Sequence, residues 1–237
     1  GDRTVYNMIY DLIPSLASLK VYLASTSPRR RDILNQIGLD FCVVDSGFDE
    51  SLIGHDRLSS PAEYVQASAY LKAVSGKALF PDADVVIGAD TVVVFDGQIL
   101  EKPKDDADGY EMIRKLSGST NTVYTGVSVI FPCPNDDRVQ NPEFIGRIMD
   151  LLPDGFCPRF NRTWVSSTDV TFGELDDDLI RAYIKTGDHR DKAGSYGIQG
   201  FAGTFVSGIN GCHLNVMGFP LSEFVKHLRS VLFNKHQ

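Results

Sequence analysis

The chain has 237 residues, 43% apolar and 23% charged, and its 23 Lys and Arg against 31 Asp and Glu give a formal charge of −8. This length suits one α/β domain whose core needs no disulfide or structural metal, and the composition excludes a disordered or membrane-embedded chain. A net-acidic surface repels long phosphodiester backbones, which excludes nucleic-acid polymers as partners. No apolar run approaches the ~18–20 residues of a membrane span, and no basic region followed by an apolar stretch opens the sequence. The expectation is a soluble cytoplasmic protein without membrane contact. Cys42, Cys133, Cys157 and Cys212 show no Cys-x-x-Cys spacing and read as reduced thiols.

Strand and helix patterns alternate along the chain. Val21 to Ala24 reads as a buried strand and Phe41 to Val44 as the next. Between them Ser27 is a candidate N-cap with Pro28 at the first helical position; Ile33, Leu34 and Ile37 share a face, and Gly38 stops the helix. Ser60-Pro61-Ala62-Glu63 is a capping box for a helix striped by Tyr64, Ala67, Leu71 and Val74, which Gly76 is expected to end. Val85 to Gly88 and Thr91 to Phe95 are strand segments, and Asp96-Gly97 turns the chain back through Ile99 and Leu100. A helix is predicted from near Asp105 to Gly118, and strand character resumes over Val123 to Phe131. Residues 132–163 hold five of the eleven prolines and no sustained period, and read as an insertion, partly mobile. Helices are predicted over Asp176 to Lys185 and Pro220 to Phe233, with a glycine-rich, alternating segment between them.

Chemistry concentrates at the junctions. Ser25-Thr26-Ser27-Pro28-Arg29-Arg30-Arg31 puts three arginines in a helix's first turn, against its dipole, and an anion would remove that conflict. Free amides, the hydroxyls of Ser25 and Ser27, and the forks of Arg29 and Arg30 make a phosphate cradle, with a solvated basic turn as the plainer alternative. Gly88-Ala89-Asp90-Thr91 sets an acid between apolar segments, where a carboxylate needs a cation, a donor or a reacting water unless it caps a turn. Asp49-Glu50 adds acid and Glu101-Lys102-Pro103-Lys104 adds amines, the mixture that a polyphosphate with Mg²⁺ or Mn²⁺ requires. Lys72 flanks its helix's apolar stripe, where its ammonium can reach a cleft or simply snorkel. In Lys192-Ala193-Gly194-Ser195-Tyr196-Gly197-Ile198-Gln199-Gly200 the glycines admit a close ligand, Gln199 could read a base edge, and Tyr196 could stack or pack.

Taken in order, Leu23 to Arg31, Gly88-Ala89-Asp90-Thr91, Glu101-Lys102-Pro103, Leu116-Ser117-Gly118, Tyr124-Thr125-Gly126-Val127 and Asp191 to Gly200 resemble the Maf family of nucleoside triphosphate pyrophosphatases. The resemblance covers about residues 20–130 and 164–230. It implies an α/β fold, a mixed, elongated, twisted sheet flanked by helices with a cleft between two lobes, similar to inosine triphosphate pyrophosphatases. It also implies a homodimer and a divalent metal cofactor. By position, Asp90 matches the family's proton acceptor, and Ser25, Arg30, Glu50, Lys72, Lys102 and Gln199 match other cleft residues. Arg29, Thr91 and Gln199 are similar to the branch acting on dTTP and UTP rather than on 7-methyl-GTP. Ala67 and Leu71 depart from the family's usual Arg and Glu. The insertion at 132–163 and an N-terminal extension over 1–19 resemble eukaryotic members, leaving 20–237 as one catalytic domain.

The expected reaction is metal-assisted hydrolysis of dTTP or UTP, with CTP or a modified pyrimidine nucleotide using the same groups. Glu50 and Asp90 hold the metal and the water, and Arg30, Lys72, Lys102 and Lys192 stabilise the leaving pyrophosphate. Two rivals stand beside it: a pyrophosphatase for inosine or xanthosine triphosphate, and a nucleotide-binding regulator of cell division.

Overall fold

Short apolar runs and capped amphipathic segments alternate in the folded chain much as the sequence pattern predicts. The computed structural model describes residues 12–54, 58–131, 142–153 and 161–233. In chain order these form α1 (Ile13–Leu16), β1 (Val21–Ala24), α2 (Pro28–Asn35), β2 (Cys42–Val44), α3 (Pro61–Leu79), β3 (Val85–Phe95), β4 (Gln98–Leu100) and α4 (Asp106–Leu116). There follow β5 (Thr120–Ile130), α5 (Pro142–Arg147), β6 (Asn161–Phe172), α6 (Asp177–Thr186), β7 (Val206–Asn210), α7 (His213–Val216) and α8 (Leu221–Phe233). Ser60 caps α3 as expected, accepting from the Glu63 amide, and Asp105 and Asp176 cap α4 and α6 in the same way by accepting from the Asp108 and Leu179 amides. The β3–β4 turn uses Asp96 (φ 49°) and Gly97 (φ 74°), the left-handed pair a two-residue hairpin needs.

The seven strands make one mixed sheet in the order β2-β1-β3-β5-β6-β7, with β4 paired to β3. β1 runs parallel to β2 and β3, and the remaining pairs are antiparallel. One edge of β3 is paired with β5 from Val86 to Val94. Its other edge meets β1 only as far as Gly88 and β4 only from Val93 onward, so Ala89 to Val92 face a gap in the sheet. The two strand segments expected here are one continuous strand, and Asp90 and Thr91 sit at its middle.

Side-chain alternation along β3 sorts the interior. Val85, Ile87 and Ala89 join a core with α2 and α8, and Val93, on the same face, joins a second core with α4 and α6. Thr91 lies between them. On the opposite face Val86 packs under α3. α3 rests on bare backbone there: a Cβ on Gly88 would lie 2.1 Å from the Ala69 carbonyl oxygen, and one on Gly126 2.2 Å from that of Val65.

Two expectations are corrected. α3 does not end at Gly76 but runs to Leu79. Gly76 is buried and serves packing, since a Cβ there would meet the Ala24 side chain at 2.9 Å. The insertion ends earlier than 163: Arg162 and Thr163 already pair with Val129 and Ser128, because β5 offers a full-length edge whatever the polarity of its partner. Its described part contains α5, whose Ile145 is buried against α3 together with Ile148; residues 132–141 and 154–160, with Cys133 and Cys157, lie outside the described residues. In the described part of the N-terminal extension Leu12 and Leu16 are buried in the α2–α8 core; residues 1–11 lie outside the described residues. No helix among the described residues is long and apolar enough to cross a membrane.

Candidate active site

The gap beside Ala89 to Val92 opens into a cleft of about 1110 Å³. β1 ends at its mouth and hands the chain to α2 through Ser25-Thr26-Ser27. Pro28 starts the helix, but Ser27 makes no side-chain cap; its amide instead donates to Ser25 Oγ at 3.3 Å. That leaves the helix start open to the cleft. Of the three arginines, Arg31 points away and lies 3.5 Å from Asp32, Arg29 is half-buried on the cleft wall, and Arg30 is buried.

Arg30 is clasped on three sides. Its Nε donates to the Gly218 carbonyl at 2.9 Å, Nη1 to Ser25 Oγ at 3.1 Å and Nη2 to Thr91 Oγ1 at 2.9 Å. Burial holds the guanidinium below its ordinary pKa, with Asp90 opposing the shift, yet an arginine so placed stays charged. Each terminal nitrogen keeps a second N–H for a ligand.

The acidic wall comes from β3 and from a short 3₁₀ turn over Glu50–Leu52. Asp90 points to the α3 face, opposite Thr91. Lys72, one turn beyond the Ala69 contact on α3, places Nζ 2.7 Å from Glu50 Oε1 and 3.1 Å from Asp90 Oδ1. The other oxygen, Asp90 Oδ2, is buried without a hydrogen-bond partner. Such an oxygen wants a cation or a donor brought by a ligand. Tyr64, at the start of α3, has its phenol pKa raised by burial first and then by Asp90, Glu50 and Glu101, so it is neutral beside the carboxylates.

The third wall is the loop after α6. Lys192 Nζ donates to the Asp188 carbonyl and, at 3.2 Å, to Asp188 Oδ1. A Cβ on Gly197 would meet Lys192 at 2.9 Å, and one on Gly200 would meet Asp188 Oδ2 at 2.4 Å, so these glycines let the loop fold over the pair. Gln199 is exposed at the rim, while Tyr196 is buried and packs edge-on against Phe172. Of the two roles open to Tyr196, the fold uses packing.

Ser25, Ser27, Arg29, Arg30, Glu50 and Lys72 from the first half and Asp90, Thr91, Lys102, Lys192 and Gln199 beyond line this one cleft, whereas Arg31, Asp49 and Lys104 are not among its lining residues. Sequence reasoning passed over Tyr64, Asp188 and Arg190. Only Asp188 carried a signal, its spacing of four residues before Lys192.

A family model described as Maf-like protein matches residues 20–231. The chain belongs to the Maf-like family. Relatives of this Maf-like chain include a protein of Clostridium perfringens named dTTP/UTP pyrophosphatase, 42% identical over 212 residues, 90% of this chain and 97% of the relative. One of Vibrio cholerae with the same name is 42% identical over 204 residues, covering 86% and 94%. A human protein named probable bifunctional dTTP/UTP pyrophosphatase/methyltransferase is 39% identical over 224 residues, 92% of this chain but 33% of its own length.

Proposed function

We propose that the chain is a nucleoside triphosphate pyrophosphatase acting on dTTP and UTP. Water attacks the α-phosphorus, the bond to the oxygen bridging the α- and β-phosphorus breaks, and the nucleoside monophosphate and pyrophosphate leave. What supports this reading is the pairing of an anion clasp with a buried acid in one sheet gap: Arg30 on one face of β3 and Asp90, with its unpartnered Oδ2, on the other. The names of the bacterial and human relatives supply the substrate pair.

Asp90 takes the proton of the attacking water or orients that water through Oδ2, and Lys72 holds Asp90 and Glu50 together through one ammonium. Arg29, Arg30, Lys102 and Lys192 face the charge that develops on the leaving group, with Ser25 and Ser27 at the phosphates. Gln199, at the rim, is in place to hydrogen-bond a pyrimidine edge. The orphaned Asp90 oxygen and Glu50, which shares the Lys72 ammonium with Asp90, offer a divalent cation two carboxylates, fewer than the three protein ligands that no cluster among the described residues supplies. Mg²⁺ or Mn²⁺ bound there would neutralise phosphate charge and complete its shell with substrate oxygens and water.

The test is pyrophosphate release from a panel of UTP, dTTP, CTP, ITP, XTP and GTP, with and without Mg²⁺ or Mn²⁺. UTP and dTTP should lead, and release should require the metal. A purine preference overturns the substrate assignment, and no release from any triphosphate overturns the enzymatic reading in favour of a nucleotide-binding regulator.

A further inference from the structure

Arg30 is held by a closed ring of hydrogen bonds that begins at its guanidinium and ends on one oxygen. In one direction Nε donates to the Gly218 carbonyl at 2.9 Å and the Gly218 amide donates to the Asn215 carbonyl at 2.9 Å. In the other, Nη2 donates to Thr91 Oγ1 at 2.9 Å, Thr91 Oγ1 lies 2.9 Å from Thr125 Oγ1, and Thr125 donates to the same Asn215 carbonyl at 3.1 Å. Thr125 and Asn215 are fully buried. The Asn215 side chain is itself pinned, its amide donating to the Val123 carbonyl at 3.1 Å and to Thr168 Oγ1 at 3.0 Å.

Counting protons fixes the direction of every link. A carbonyl only accepts, so Thr125 spends its single hydroxyl proton on Asn215. Thr91 then receives from a guanidinium that only donates and faces a Thr125 with no proton left, so Thr91 must donate to Thr125. Ser25, the other hydroxyl on Arg30, differs. It accepts from Arg30 Nη1 and from the Ser27 amide, and both bonds leave its own proton unspent.

We propose that Thr125, acting through the Asn215 carbonyl, is a positioning residue that fixes Arg30 and commits the Thr91 proton to the ring, leaving Ser25 as the hydroxyl that donates to a substrate phosphate oxygen. This rests on the pyrophosphatase reading and narrows it: Thr91 sets the clasp, and Ser25 touches the phosphate. Thr125 lies on β5 directly opposite Thr91, out of reach of solvent, and acts only through its neighbours.

The test compares Thr125→Val, Thr125→Ser, Thr91→Val and the double variant Thr91→Val/Thr125→Val, with Ser25→Ala beside them. Four quantities are read: kcat and KM for UTP, the Kd of inorganic pyrophosphate by calorimetry, and Tm. Thr125→Val should lower kcat about tenfold or more and weaken pyrophosphate binding, because a clasp displaced by a fraction of an ångström loses its aim. Thr125→Ser should restore both. The double variant should be no worse than Thr91→Val, since both cut the same ring. Ser25→Ala should weaken pyrophosphate binding more than Thr91→Val does. Wild-type kcat and Kd in Thr125→Val, additive losses in the double variant, or a Thr125→Ser as impaired as the valine at unchanged Tm would each overturn the proposal. If Thr125→Val does not fold, the order of Ser25→Ala and Thr91→Val in pyrophosphate affinity decides it. The titration needs no turnover, so a wild-type chain that hydrolyses nothing overturns the pyrophosphatase reading while the Kd values still decide the ring.

Discussion

Lys72 Nζ lies 3.1 Å from Asp90 Oδ1, and this bond joins the middle of α3 to the middle of β3 directly above the glycine contact that lets the helix approach the sheet. Lys72 is also within 2.7 Å of Glu50, so one ammonium serves two carboxylates. Replacing it by methionine leaves a buried acid without its counter-charge. We expect Lys72→Met to lower UTP turnover by about 10²-fold or more and to destabilise the fold by about 3 kcal/mol in urea titrations. Adding Asp90→Asn should return much of the stability and none of the activity.

Asp90→Asn alone tests the acid itself. The amide keeps the side chain's size but cannot take a proton, so pyrophosphate release should fall by about 10² to 10⁴-fold. UTP should still raise Tm, because Arg30, Lys102 and Lys192 are untouched. Unchanged turnover would remove Asp90 from the reaction.

The contact between α3 and the sheet is a third target. At Gly88 a methyl group would lie 2.1 Å from the Ala69 oxygen and 2.7 Å from the Ala73 nitrogen, both backbone atoms of α3 that cannot turn aside. Gly88→Ala should therefore cost about 3 kcal/mol or more and lower activity as well, since lifting α3 draws Lys72 from Asp90. Gly208→Ala on β7, whose Cβ would meet nothing closer than the Thr171 Cβ at 4.0 Å, should fall within about 0.5 kcal/mol of wild type.

A fourth prediction concerns acid. His227 stacks on Trp164 with ring centroids 4.1 Å apart. Burial first, then the charge of Arg162, lowers its pKa below 6.5; Lys226 adds to the shift and Glu223 opposes it. In the unfolded chain the imidazole takes a proton as pH falls through 6.5, while in the folded chain it resists until lower pH. Unfolding is favoured in that window, so this residue's contribution is kept above pH 6.5 and lost as pH falls toward the folded value. His227→Phe keeps the stack and removes the proton; its Tm should drop less than that of wild type between about pH 7 and about pH 5.

The sequence made the individual elements and the cleft residues legible because each carries a local signature: Pro28 after Ser27, the capping box at Ser60, the Asp96-Gly97 turn, an acid between valines at Asp90. It concealed what depends on partners far along the chain. Thr125 and Asn215 look like an ordinary strand threonine and a surface-type amide until β5 and α7 bring them to Arg30. β6 hides its start at Asn161 because its pairing with β5, and not its own apolarity, makes it a strand. Gly76 reads as a stop signal locally and is a packing residue in the fold, since only the approach of Ala24 and Val86 reveals why a side chain is absent.

β3 and β5 run unbroken past the cleft and supply residues to the apolar clusters on both sides of it: Ile87 and Val127 to one, Val93 and Val123 to the other. Each lobe has its own apolar cluster, but both are built on the same two strands, so neither can come apart without releasing strands that hold the other. The protein should accordingly melt in a single calorimetric transition, with enthalpies from the heat absorbed and from the steepness of the curve in agreement.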